Sequence, residues 1–260
     1  YSFKEYLAAK QVKLKEHWEY DTIQRSEVKR HLNEYFYYGG LPEIPSFKNK
    51  RAMLSSLYKK IYLGDICARN NIKNDRILNI LIKKMAESVK QPLSYNRLKN
   101  VIVATGSSIS VPTTIDYVDY ATDSWLILPM ENEIGKLTEK EMQKKYYFVD
   151  NGLLNLFLMN SETSLLENIV AVELCRRFGK KNVFFLSAEK EIDFIVPDVK
   201  LAIQVSYSIK EEATHNREVA PLVKYSKTHE DWTCLLITYD EEGTEEGIPV
   251  VPVWKWLMGK

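Results

Sequence analysis

The chain has 260 residues, of which 45% are hydrophobic and 27% are charged, a composition typical of a soluble globular protein with more than one core. No apolar run approaches the roughly 20 residues that a membrane-spanning helix needs, and no charged-then-apolar leader opens the chain. Three distant cysteines, Cys67, Cys175 and Cys234, fit free thiols in a reducing cytoplasm, where we expect the protein to work.

The net charge of +1 conceals an asymmetry between two parts of the chain. Residues 1–74 carry 14 Lys and Arg against 8 Asp and Glu, whereas residues 75–260 carry 22 against 27. Opposite signs favour contact between the two parts or a basic surface for an acidic partner, although solvated surface charge is the commoner reason. The basic candidates for contact with nucleic acid are Lys13, Lys15, Lys29 and Arg30.

Residues 1–74 are predicted to form a helical segment. Val28, Leu32, Tyr35 and Phe36 recur on one face of a first helix, and residues 53–61 repeat the pattern in a second. The punctuation Gly39-Gly40-Leu41-Pro42 between them predicts a tight hinge.

Residues 75–135 predict a winged-helix-like unit. An amphipathic helix spans residues 77–85, a second begins at Ser94, and a third begins at Ser110 with a polar cap and a proline in its first turn. A short β-like run follows at residues 125–129. Three helices followed by a β-ribbon are the outline of a winged helix-turn-helix.

Residues 145–260 predict an α/β domain, so that the whole chain has a mixed α+β organisation. A strand-like run lies at residues 146–150, a helix at about 164–178, and strands near 183–187, 192–196 and 201–207. A helix near 214–228 and a strand at 233–238 complete the order α-β-β-β-α-β, and residues 250–257 close the domain. This order is that of a restriction-endonuclease-like core.

These segments, taken together, resemble the C-terminal region of a large prokaryotic family of predicted AAA+-like ATPases. The residues that carry the resemblance are Ser2–Leu7, Tyr38–Glu43, Pro112–Tyr117, Tyr147–Leu153, Leu166–Asn168, Glu191–Phe194 and Ile203–Ser208. The resemblance implies a nuclease-like C-terminal domain behind a P-loop ATPase domain. Because this chain lacks G-x-x-x-x-G-K-[ST] and begins at Tyr1, we expect a piece without that ATPase domain, which would be its partner and its only route to ATP.

The same resemblance places Glu167, Asp193, Gln204 and Ser206 at the four positions of a PD-(D/E)xK nuclease site. Such a site uses acidic oxygens to hold Mg²⁺ and a lysine beside the attacking water. Glu167 and Asp193 match the first two acids and are the candidate Mg²⁺ ligands, whereas Gln204 lacks the third negative charge and Ser206 lacks the cation. Losing one preorganised charge typically lowers the rate by a factor on the order of 10²–10³, and the site lacks two, so we expect little or no cleavage.

Ordinary structural roles are open for the same residues. Glu167 could close a capping box that begins at Ser164, Asp193 could be a solvated residue beside a strand end, and Gln204 could bond its neighbours. Lys210 could reach the site from further along the chain, although nothing in the sequence favours it.

The winged-helix-like unit is poorly suited to DNA. Between Asn100 and Gly135 there is no Lys or Arg, and the stretch contains five acids. We therefore expect a non-catalytic regulatory or interaction region that contacts its ATPase domain, another protein or a second copy of itself. A Mg²⁺-dependent DNA endonuclease and a non-catalytic nucleic-acid-binding module stay open as alternatives.

Overall fold

A computed structural model describes residues 1–187 and 191–259, which form eleven α-helices and nine strands in two sheets. The helices are α1 (Phe3–Ala9), α2 (Thr22–Tyr38), α3 (Lys50–Lys60), α4 (Asp75–Glu87), α5 (Tyr95–Ala104), α6 (Val111–Asp123), α7 (Leu137–Met142), α8 (Asn151–Leu154), α9 (Glu162–Phe178), α10 (Glu212–Thr228) and α11 (Val253–Leu257). The strands are β1 (Leu93–Ser94), β2 (Ile127–Met130), β3 (Gln143–Phe148), β4 (Phe184–Ser187), β5 (Glu191–Val196), β6 (Leu201–Ser206), β7 (Thr233–Thr238), β8 (Gly243–Glu245) and β9 (Ile248–Pro252).

The helices expected in the N-terminal segment are confirmed, and ordinary capping chemistry begins them. Ser2 and Glu5 form a reciprocal capping box at α1, and the Asp21 carboxylate accepts from two backbone N–H groups at the start of α2. The second expected helix is longer than its pattern predicts, since α3 continues as a π-helix at Ile61–Ala68. In the part of the chain described, no helix is both long and apolar enough to cross a membrane.

Three of these helices are tied together by one carboxylate. Lys10, which follows α1, and Lys50, which begins α3, both contact Glu34 of α2 at 2.9 Å. Burial alone would raise the pKa of Glu34, but hydrogen bonds from the two lysines outweigh it and lower the pKa to about 2.

The small sheet has the strand order β1-β3-β2 with both pairs antiparallel. Its elements follow one another as α4-β1-α5-α6-β2-α7-β3, with the short helix α7 between the last two strands. The strand expected at residues 146–150 is therefore present as β3, but it lies in this small sheet and not in the α/β unit. Its backbone pairs with β1 and β2, which the hydrophobic pattern of the strand alone does not specify.

The large sheet has the order β4-β5-β6-β7-β9-β8. The pairs β4–β5 and β5–β6 are antiparallel, whereas β6–β7 and β7–β9 are parallel. The chain order α9-β4-β5-β6-α10-β7 confirms the predicted α-β-β-β-α-β succession. The two sheets are linked beside β4, where Asn132 pairs with Phe185 and the Glu133 N–H donates to the Phe185 carbonyl at 2.8 Å.

Two hydrophobic clusters hold the sheets and helices together. The larger cluster contains buried residues from near both ends of the chain, Phe3 and Leu257, together with residues of α2, α4, β3, α9 and α11. The smaller cluster lies between α10 and the large sheet. The three segments expected at 1–74, 75–135 and 145–260 therefore share one core.

The glycine pair that was expected to join two helices lies directly after α2, where its backbone contacts Asp150. The buried Asp150 carboxylate accepts from the Gly40 N–H at 2.7 Å and from the Gly152 N–H at 2.8 Å, and so caps α8 and holds the end of α2. Gly39 has φ +76°, and a Cβ there would lie 2.0 Å from the Asp150 Oδ1 atom. Only glycine satisfies both the backbone angle and this close approach.

Candidate functional site

The four residues singled out as nuclease positions converge on one cleft. Glu167 comes from α9, Asp193 from β5, and Gln204 and Ser206 from β6; all four are buried. The antiparallel register of β5 and β6 aligns Phe194 with Ile203, which brings Asp193 beside Gln204. The cleft has a volume of about 760 Å³, and its wall includes all four residues together with residues of α10.

A lysine from the other sheet lies at the centre of the acidic residues. The Lys145 Nζ atom of β3 is 3.3 Å from Glu167 Oε1, 3.3 Å from Asp193 Oδ1 and 2.8 Å from Glu191 Oε1. The lysine side chain has no solvent-exposed surface. We call Lys145, Glu167, Glu191 and Asp193 the ammonium cluster.

Reasoning from the sequence missed Lys145. The available signal was a lysine directly before the apolar run of residues 146–149, and such a residue is ordinarily solvated. Its partners are separated from it by 22 to 48 residues, and its strand belongs to the small sheet. Only the packing of the two sheets brings the charges together.

The electrostatics of the cluster depend on burial and on mutual proximity. Burial, with repulsion by Glu167, raises the pKa of Asp193 well above its ordinary value, and Lys145 opposes this shift. Burial alone would lower the pKa of Lys145, but the carboxylates of Glu167, Asp193 and Glu191 outweigh burial and raise it. The surroundings of the cluster thus favour a charged Lys145 and make Asp193 hold its proton more readily than an ordinary carboxyl group does.

Hydrogen bonds occupy the other groups of the site. The second Asp193 oxygen accepts from the Val205 N–H at 2.9 Å, and Tyr147 donates its hydroxyl to Glu167 Oε1 at 2.8 Å. The Gln204 amide oxygen accepts from the Asp193 N–H at 3.2 Å, while its amide nitrogen donates to Glu218 at 2.7 Å.

The ordinary roles considered for these residues hold only for Gln204. Helix α9 begins at Glu162, so Glu167 lies within the helix and does not cap it. Asp193 is buried and not solvated. Ser206 donates to the Ser208 carbonyl at 2.9 Å, and Lys210 lines a separate cavity beside Glu241. Within residues 1–187 and 191–259, no group of three or more His, Cys, Asp or Glu residues is arranged to hold a metal ion.

The basic candidates of the N-terminal segment lie outside the described wall of the cleft. Lys29 contacts Asp240 at 2.5 Å and lies over the Trp254 ring, which joins α2 to the region of α11. Arg30 lies 4.0 Å from Glu27, and Lys13 and Lys15 are exposed between α1 and α2. Their contact with nucleic acid stays a prediction.

The fold and the site define a mixed α/β protein with an acidic cleft whose carboxylates contact one buried lysine. A family profile described as Domain of unknown function (DUF8612) matches residues 29–164, just over half of the chain. The chain belongs to this family.

Two relatives match almost the whole chain. An uncharacterized protein of Methanocaldococcus jannaschii, MJ1544, is 29% identical over 99% of this chain and 62% of its own length. An uncharacterized protein of Haemophilus influenzae is 31% identical over 99% of this chain and 63% of its own length. The chain thus spans less than two thirds of either relative. No solved structure matches it significantly.

These comparisons correct the family expected from the sequence. The assignment to the predicted AAA+-like ATPases is wrong, because the matching family is a domain of unknown function and both relatives are described only as uncharacterized. The expectations of ATP and of an ATPase domain as partner rested on that assignment and are withdrawn with it.

Proposed function

We propose that this chain is a non-catalytic interaction or regulatory protein built on a nuclease-like α/β domain. The order α9-β4-β5-β6-α10-β7 supports the nuclease-like fold, as does the convergence of Glu167, Asp193, Gln204 and Ser206 on one cleft. A fold by itself does not carry an activity, so the proposal depends on the chemistry of the cleft.

One observation carries the proposal: the residues at the two altered positions serve structural hydrogen bonds. Gln204 joins the Asp193 backbone to Glu218, and Ser206 donates to a carbonyl two residues away. Neither offers a negative charge for Mg²⁺ nor a cation for a developing charge on phosphate. These roles support a cleft in which positions 204 and 206 lack the charges that a nuclease would use there.

The unit around the small sheet supports contact with protein in preference to DNA. The succession α4-β1-α5-α6-β2-β3, with the short helix α7 between the last two strands, resembles that of a winged helix. Its third helix, α6, exposes Asp116, Asp119 and Asp123, which recur on one side of the helix. A helix with this acidic surface would repel a phosphate backbone.

Cleavage assays on supercoiled plasmid and on single-stranded oligonucleotides, with Mg²⁺ and with Mn²⁺, test the proposal. We expect no product above a metal-free control. Metal-dependent cutting that is lost in Asp193→Ala but retained in Lys210→Ala would refute it, since Lys210 lies outside the cleft.

A metal-dependent DNA endonuclease is a second candidate, favoured by the position of Lys145. Its ammonium contacts both Glu167 and Asp193, so a lysine is present even though position 206 is serine. This candidate predicts cutting that disappears in both Asp193→Ala and Lys145→Ala. A binding module would instead show salt-sensitive DNA binding that survives Asp193→Ala and fails when Lys13 and Lys15 are neutralised.

A further inference from the structure

We infer that Lys145 is a built-in cation that takes the place a divalent metal would have between the carboxylates of the cleft. The inference rests on the proposed function with its nuclease-like fold. It adds a reason why the carboxylates of the cleft would not bind a divalent metal. The acids that would hold the metal are drawn together by an ammonium group from a neighbouring sheet.

The first support is the number of hydrogen-bond donors. An ammonium group has three N–H donors, and the Lys145 Nζ atom has three carboxylate oxygens within 3.3 Å, one each from Glu167, Glu191 and Asp193. No donor is left for a water molecule or a phosphate oxygen. A lysine that assists phosphodiester cleavage needs at least one such donor, so the geometry favours a structural cation.

The second support is that Lys145 is held in place. Its strand β3 pairs on both sides, and Lys145 itself is registered opposite Met130 of β2. The neighbouring Tyr146 and Tyr147 are almost fully buried, and the ammonium lies 5.6 Å from the centre of the Phe185 ring. The ammonium therefore lies inside the protein with no exposed surface and does not extend its charge to solvent, as lysines near a surface do.

The third support is the conflict between the ammonium and a metal. Mg²⁺ binds carboxylate oxygens at about 2.0–2.1 Å, within the space that the Lys145 Nζ atom already occupies between the same oxygens. Two cations at such a separation in a buried site repel each other strongly. The residues present thus do not fit a bound Mg²⁺ unless Lys145 is removed.

Mn²⁺ binding, followed by electron paramagnetic resonance and calorimetry, tests the inference. We expect the unaltered chain to bind no stoichiometric Mn²⁺ at about 1 mM metal, and Lys145→Ala to bind one ion at least about tenfold more tightly. The gain should vanish in Lys145→Ala combined with Asp193→Asn. Lys144→Ala is the matched control, because Lys144 pairs with Glu131 and Glu141 outside the cluster, and it should gain nothing.

Two outcomes would overturn the inference. One is stoichiometric Mn²⁺ binding by the unaltered chain that is lost in Asp193→Asn, a measurement that does not depend on the folding of any Lys145 variant. The other is a folded Lys145→Ala, verified by circular dichroism, with no gain in Mn²⁺ affinity. Mn²⁺ binding by the unaltered chain without DNA cleavage would refute only this inference. DNA cleavage by the unaltered chain would refute the proposed function.

Discussion

Replacement of Lys145 by Met should destabilise the protein severely, because it removes the only positive charge of the ammonium cluster and keeps a long apolar stem. Three carboxylates, two of them buried, would then face one another within a few ångströms. Removing one partner of a buried ion pair costs about 3–5 kcal/mol, and protonation of Asp193 should keep the loss within that range. This is a large part of the ~5–15 kcal/mol that stabilises a typical domain.

A double-mutant cycle separates the ion cluster from simple packing. Asp193→Asn alone should cost about 1–3 kcal/mol, since it removes one carboxyl partner of the ammonium. In the Lys145→Met background the same change should cost much less, because no ammonium is left for the Asp193 carboxyl to contact. We expect a coupling free energy of about 1–3 kcal/mol between the two positions.

Urea unfolding at pH 7, followed by circular dichroism and extrapolated linearly to water, measures these free energies. Lys144→Met is the control, and its partly exposed ion pairs should contribute only about 0–1 kcal/mol. A loss below about 1 kcal/mol for Lys145→Met, or additive effects of the two substitutions, would refute the arrangement described for the cluster.

Two further predictions concern the N-terminal helices. Gly39→Ala should lower the free energy of unfolding by more than Gly106→Ala does. Both glycines have a positive φ, but only at Gly39 would the new Cβ collide with Asp150. Equal losses of stability in urea unfolding would contradict this close approach. The lowered pKa of Glu34 stabilises the fold above the ordinary carboxyl value of 4.5, and this contribution should fade as pH falls toward 2. The stability difference from Glu34→Gln, measured between pH 7 and 2.5, should therefore shrink over that window; a constant difference would show that the lysine contacts contribute nothing.

Much of the secondary structure could be predicted from local patterns. The alternation of apolar residues and the turn residues between them placed α9, α10 and the strands β4 to β7 within a few positions of their observed bounds. The polar cap and proline that predicted a helix at Ser110 begin α6 as expected. Such signals are local, because capping and periodicity act within a few residues of one another.

The assignment to a family, in contrast, was wrong because it relied on short segments whose role is structural. Short segments such as Tyr38–Glu43 and Tyr147–Leu153 carry the resemblance, but the structure shows that they pack two helices together. Gly39, Gly40 and Asp150 together form the joint between α2 and α8. A joint of this kind can recur wherever two helices must be held in that way, so it indicates packing more directly than it indicates an activity.

The sequence by itself determined the order of helices and strands and the residue types that line the cleft, since both follow from local periodicity and from chemical identity. Only the tertiary structure decided that β3 belongs to the small sheet and that its Lys145 reaches Glu167, Glu191 and Asp193. The physical reason is that a buried charge is tolerated only beside its partners. Those partners lie far away in the sequence, and the packing of one sheet against the other brings them within hydrogen-bond distance.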